Sequence, residues 1–125
     1  MINVQPTLND KQVFDFIHNG YIILESIIEE DFNSQCQSLP PGHLTDFIQS
    51  RSFRQNVLLH PQVAGVARSL LGQNFTLPTS AHNHLYEHPH EGQTLHSDGL
   101  TESGYGITHL QCYYCLLYTS AAADE

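Results

Sequence analysis

The spacing of the apolar residues changes after Gly72, and this change favours a fold in which helices come before strands. Between Pro61 and Gly72 the apolar residues recur at intervals of three and four, which predicts a helix that buries one stripe. Proline fits the first turn of this helix and glycine its end. From Asn74 onward the apolar residues alternate or form short runs, as is typical of strands. The order predicts an α+β chain, or helices packed on a β-sandwich.

Two more helices are predicted before this point. A capping pattern at Thr7 and Asp10 starts the first helix, and Gly20 ends it as a left-handed cap. The second runs from Glu29 to Leu39, with an apolar stripe on one face. The members of that stripe are Ile28, Phe32, Cys36 and Leu39.

The remaining segments predict less regular structure. Residues 43–60 show no firm period and are expected to be irregular, with a short helix at 56–59. Short apolar or alternating runs predict strands. These lie at residues 21–24, 75–77, 81–86 and 107–114.

Composition excludes several classes of function. The 125 residues suit one small domain, and a hydrophobic fraction of 40% allows a core. The net charge is −9 with only four Lys and Arg residues, so nucleic acid and anionic membrane surfaces are not expected as partners. No apolar run is long enough to cross a bilayer, and the N-terminus lacks the pattern of a signal peptide. Three scattered cysteines favour a reducing compartment, so we expect a cytoplasmic protein.

The segment Gln93–Gly99 contains the most informative chemical pattern. His96 and Asp98 are two residues apart, so on an extended backbone both side chains leave the same face. One imidazole and one carboxylate are two of the three ligands of the 2-His-1-carboxylate triad that binds non-haem Fe(II). So short a motif also arises by chance, and Asp98-Gly99 suits an ordinary turn. The surrounding sequence therefore decides between an iron-binding pair and a polar turn.

That context is rich in histidine. Nine histidines are present, and five of them fall between His82 and His96. Two H-x-H pairs, at His82/His84 and at His88/His90, allow a second reading of the chain as a non-catalytic, histidine-rich metal-binding domain. For the first pair we favour polar side chains that line a cavity or a solvated strand, because an H-x-H pair needs further ligands to hold a metal firmly.

Four segments, taken in order, resemble the N-terminal half of the phytanoyl-CoA dioxygenase family, within the Fe(II)/2-oxoglutarate-dependent oxygenase superfamily. They resemble its opening helix, glycine and strand, a later helix ending in Leu-Leu-Gly, the metal-binding segment and the strand that follows. The segments are Phe14–Leu24, Leu59–Gly72, Gly92–Gly99 and Tyr105–Tyr114.

This resemblance implies a double-stranded β-helix, a jelly-roll or cupin-like fold, of which the chain holds the flanking helices and the first strands. Residues 1–114 are then the N-terminal part of an oxygenase domain, and residues 115–125 a non-native or disordered tail. The second histidine ligand and the arginine that binds 2-oxoglutarate lie further downstream in the family and have no counterpart here. A truncated chain, a partner chain that supplies the missing residues, or a non-catalytic relative would each explain this absence, and we favour a truncated chain that is inactive by itself.

The resemblance also implies the cofactors and the reaction. Fe(II) is expected on His96 and Asp98, with 2-oxoglutarate as co-substrate and a small organic molecule as the substrate that is hydroxylated. From alternation along the strands, Gln93, His84 and Gln111 are expected near the cofactor, and His109 in the substrate cavity.

Overall fold

The computed structural model describes residues 3–85, 89, 91–92, 94 and 106–114. Helix α1 spans Asp10–Asn19, and its N-cap is Asn9, not Thr7 as the sequence pattern predicted. The Asn9 side chain accepts a hydrogen bond from the Gln12 amide at 2.9 Å, and the Gln12 side chain accepts one from the Asn9 amide at 3.0 Å. This reciprocal pair satisfies two backbone donors at the helix start, so it defines the cap. The predicted end is confirmed, because Gly20 has φ of 81°.

Thr7 instead joins the N-terminal segment to helix α5, which spans Pro61–Leu71 as predicted. The Thr7 amide lies 3.3 Å from the Gly65 carbonyl oxygen and 3.0 Å from the Ser69 hydroxyl. A Cβ on Gly65 would lie 2.3 Å from the Thr7 methyl carbon, so the close approach of the two segments requires glycine there.

Helix α2 spans Glu30–Gln37, close to the predicted bounds, and its apolar stripe enters the core. Phe32 and Cys36 are buried, while Ile28 and Leu39 pack at the margin of the same cluster. The predicted stripe is therefore confirmed. Burial of these side chains is what stabilises a helix of only eight residues, which is too short to persist alone in water.

The prediction of irregular structure for residues 43–60 is wrong, because most of this segment is helical. Helix α3 spans Thr45–Gln49, and helix α4 spans Arg51–Phe53 and continues as a π-helical turn over Arg54–Leu58. The buried residues of this segment follow intervals of five, four and one, so a search for the α-helical period does not find them. They are Ile48, Phe53, Val57 and Leu58.

The strand predictions are largely wrong for the described residues. Strand β1, Gly42–His43, pairs antiparallel with strand β2, His82–Asn83, and these form the one sheet that the described part of the chain contains. Residues 21–24, 75–77 and 107–114 carry no strand, although their residue types suit one. A strand needs a hydrogen-bonded neighbour, and Tyr21 and Ile23 are instead 65% and 60% exposed.

The segment 107–114 reaches the helical core through its last residue. The ring of Tyr114 packs edge-on against Phe53, with centroids 6.1 Å apart, and its hydroxyl donates a hydrogen bond to the Asn33 side chain. The pKa of the Tyr114 hydroxyl is raised mainly by burial and, to a smaller extent, by the neighbouring Cys36. This group therefore remains a hydrogen-bond donor. Burial also raises the pKa of the Cys36 thiol, which makes a structural role more fitting than a reactive one.

Candidate functional site

The residues expected to bind iron, His96 and Asp98, lie outside the described residues, as does Gln93. The prediction that these two side chains share an ion therefore stays a prediction. The second H-x-H pair, His88 and His90, lies outside the described residues as well.

Three residues that were expected near the cofactor or substrate are described, and all are exposed. These residues are His84, His109 and Gln111. The last two belong to the segment that carries no strand, so the alternation from which their roles were inferred is not realised there. Their roles stay predictions.

Three imidazole rings lie together on the β1–β2 pair. In the antiparallel register His43 lies opposite His82, and the two ring centroids are 4.9 Å apart in an edge-on arrangement. His84 follows two residues later, with its ring centroid 4.3 Å from that of His82. The Nδ1 atom of His82 lies 3.2 Å from the Nε2 atom of His84. We call this group, His43, His82 and His84, the histidine cluster.

The backbone around β2 explains why both side chains of the H-x-H pair lie on one face. Asn83, between them, donates hydrogen bonds to the carbonyl oxygens of Leu39 and Pro40 at 3.1 Å and 2.9 Å. This side chain therefore faces the end of α2, and the alternation of an extended backbone places its two neighbours on the opposite, exposed side. The Leu44 amide adds a bond of 3.0 Å to the Ala81 carbonyl oxygen, which continues the pairing beyond the two-residue strands.

The electrostatics of the cluster favour uncharged imidazole at its centre. Desolvation is the main factor that lowers the pKa of His82, and repulsion from a protonated His84 or His43 lowers it further. At neutral pH the neutral ring therefore predominates, with one nitrogen lone pair available to accept a proton or to bind a metal ion.

An open cavity of about 350 Å³ lies beside the cluster. Its lining is one continuous stretch of chain, from His43 to the start of α3. The lining residues are His43, Leu44, Thr45, Asp46 and Phe47. With a single imidazole and a single carboxylate, the cavity wall is mixed in character and does not by itself select a ligand class.

Sequence reasoning found two members of the cluster and missed the third. The H-x-H spacing indicated that His82 and His84 share a face, and their geometry confirms this. His43 lies far away in sequence, within a segment predicted to be irregular, so no local pattern linked it to the pair. Only the cross-strand register brings it into place.

No arrangement of three or more His, Cys, Asp or Glu side chains suited to hold a metal ion occurs among residues 3–85, 89, 91–92, 94 and 106–114. Over the same residues, no helix is sufficiently long and apolar to span a membrane. No family model matches the chain, and no curated protein and no solved structure matches it either.

Proposed function

We propose that this chain is part of an Fe(II)/2-oxoglutarate-dependent dioxygenase that hydroxylates a small organic substrate, and that His96 and Asp98 are two of its three protein ligands to iron. The observation that carries the proposal is the H-x-D pair within Gln93–Gly99. It stands after a helical region and amid residues that resemble the phytanoyl-CoA dioxygenase family.

In the described residues, the first two of the resembling segments contain the expected helices but not the expected strand. Helix α1 ends at Gly20, and α5 occupies the position of the helix that ends in Leu-Leu-Gly. The strands that the resemblance implies at residues 21–24 and 107–114 are absent from these described segments. The proposal thus depends more on the donor chemistry of the motif than on the fold around it.

The donor set fits two of the three positions of a facial triad. A neutral imidazole and a carboxylate suit Fe(II), and together they leave positions for a co-substrate that chelates and for O₂. When bound, Fe(II) and 2-oxoglutarate supply oxidative decarboxylation coupled to hydroxylation of a substrate C–H bond. The role of the protein is to bind and orient the metal ion. Gln93 is proposed to contact the co-substrate beside that ion. Gln111 and His109 are further candidates for such contacts.

The proposed setting of this reaction follows from composition. With a net charge of −9, the chain suits small molecules and metal cations better than nucleic acid. Few and scattered cysteines suit a reducing compartment, so the proposal places the enzyme in the cytoplasm.

Anaerobic titration of the protein with Fe(II), followed by calorimetry, tests the ligand assignment. We expect one binding step that is lost in His96→Ala and in Asp98→Ala. His18→Ala and Asp15→Ala are matched controls, because they remove the same side-chain types from helix α1 and should leave the step unchanged. Equal affinity in the wild type and in both motif variants would refute the proposal.

A further inference from the structure

Two rings of the histidine cluster, those of His82 and His84, hold a pair of nitrogen atoms at a separation that suits chelation of a transition-metal ion. Imidazole nitrogens bind Zn²⁺ at about 2.0–2.1 Å, so two of them on one tetrahedral ion lie about 3.3–3.4 Å apart. A right-angled pair on a square-planar ion would lie about 2.9 Å apart by the same bond length. In the structure His82 Nδ1 and His84 Nε2 share a hydrogen bond of 3.2 Å, a separation between these values, so an ion that replaces this hydrogen bond requires little movement of the two nitrogens.

We propose that His82 and His84 chelate one divalent transition-metal ion, Cu(II) in preference to Zn(II), and that His43 supplies a third imidazole. This site uses neither His96 nor Asp98, so its protein ligands differ from those of the iron site proposed above.

The backbone already holds the chelating pair in position before any ion binds. Two hydrogen bonds from the Asn83 side chain fix the residue between the two ligands to the end of α2. Because the strand is fixed in this way, binding has to restrict only the side-chain torsions of the two rings. A preformed pair of ligands binds an ion more tightly than the same two groups on a mobile chain.

In its observed position the His43 ring does not form a three-ligand site with the pair, but it lies next to them. Cross-strand neighbours have Cβ atoms roughly 4.5–5.5 Å apart, and His43 is the direct neighbour of His82. Its ring is exposed and its centroid is 4.9 Å from that of His82, so a rotation about the His43 side-chain torsions is the movement that would bring it to an ion on the pair. We therefore expect this histidine to strengthen binding without being required for it.

The ligand set determines which ion is preferred. Imidazoles suit Cu(II), Ni(II) and Zn(II), whereas Mg²⁺ and Ca²⁺ require oxygen ligands. For a given set of nitrogen donors, affinity rises along the first-row metals to a maximum at Cu(II) and falls again at Zn(II). The net charge of −9 adds a general attraction for cations.

Calorimetric titration with Cu(II) alone, and separately with Zn(II) alone, tests the proposal on the full chain. The double variant His82→Gln/His84→Gln should lose one Cu(II)-binding step, and His43→Gln should weaken that step without abolishing it. The matched control is His88→Gln/His90→Gln, which removes the other H-x-H pair. It should retain the step.

Electron paramagnetic resonance of the Cu(II) protein provides a second readout that a change in folding would not imitate. Splitting from at least two nitrogens is expected in the wild type, in the His88→Gln/His90→Gln variant and in His96→Ala. Circular dichroism identifies any variant that has lost its helices, and the single variants His82→Gln and His84→Gln then replace the double variant. The proposal would be overturned if His82→Gln/His84→Gln kept the Cu(II) affinity of the wild type. Loss of the binding step in His88→Gln/His90→Gln would overturn it as well.

Discussion

Phe53 is the residue whose truncation should affect stability most. Its side chain is 6% exposed, and its ring lies 5.2 Å from that of Phe47, 6.4 Å from that of Phe32 and 6.1 Å from that of Tyr114. It therefore joins three parts of the chain: α2, α3 and the segment that ends at Tyr114. Truncating a buried phenylalanine to alanine costs about 3–5 kcal/mol, from lost transfer free energy and from the cavity that remains.

That loss is a large share of the about 5–15 kcal/mol by which a domain is normally stable. Urea unfolding followed by far-ultraviolet circular dichroism measures it, and we expect the midpoint of Phe53→Ala to fall by at least about 1 M. Phe14→Ala is the matched control, because Phe14 is 69% exposed on α1 and its truncation should change stability by less than about 0.5 kcal/mol. Equal losses in the two variants would show that the core is not centred on Phe53.

Three other outcomes are expected. Purified, iron-loaded protein should produce no more succinate from 2-oxoglutarate than His96→Ala, because the chain has only two identified iron ligands; turnover above that control would contradict this. Gly65→Ala should destabilise the protein by about 1–3 kcal/mol in thermal unfolding, since the new Cβ displaces Thr7, and Thr7→Gly in the same chain should restore stability. In proton resonance titrations the pKa of His82 should lie below the ordinary histidine value of about 6.5. Because the pKa of His82 is lower in the folded than in the unfolded protein, its contribution to the free energy of unfolding is fully present above about pH 6.5 and is lost as the pH falls through the lowered folded-state pKa. A measured pKa of His82 at or above about 6.5 would be the contrary result.

The sequence predicted those helices in which the buried residues recur at the α-helical period. The stripe of α2 and the bounds of α5 are set by local spacing and by proline and glycine signals, so both could be read from the chain. Residues 45–58 could not, because a break at Ser50 and a π-helical turn disturb the period of their buried side chains. The cap of α1 was placed two residues early, since two capping patterns overlap and Thr7 is engaged by α5.

The strands were less predictable for a physical reason. Strand-favouring residue types show that a segment suits a pleated, half-buried surface. They do not show that a partner strand is available. Ile23 lies in such a segment and is 60% exposed. The histidine cluster shows the same limit, because His82 and His84 could be paired from sequence, whereas His43 joins them only through the register of β1 and β2.

The central claim is that iron binds at His96 and Asp98, and iron-catalysed cleavage of the backbone tests it most directly. Fe(II)-loaded protein treated with ascorbate and peroxide is cut next to the bound ion, and mass spectrometry locates the cuts. We expect cleavage within residues 93–99, and we expect it to disappear in His96→Ala. Cleavage confined to the neighbourhood of residues 82–84 and unchanged in His96→Ala would contradict the oxygenase proposal and would assign metal binding to the histidine cluster alone.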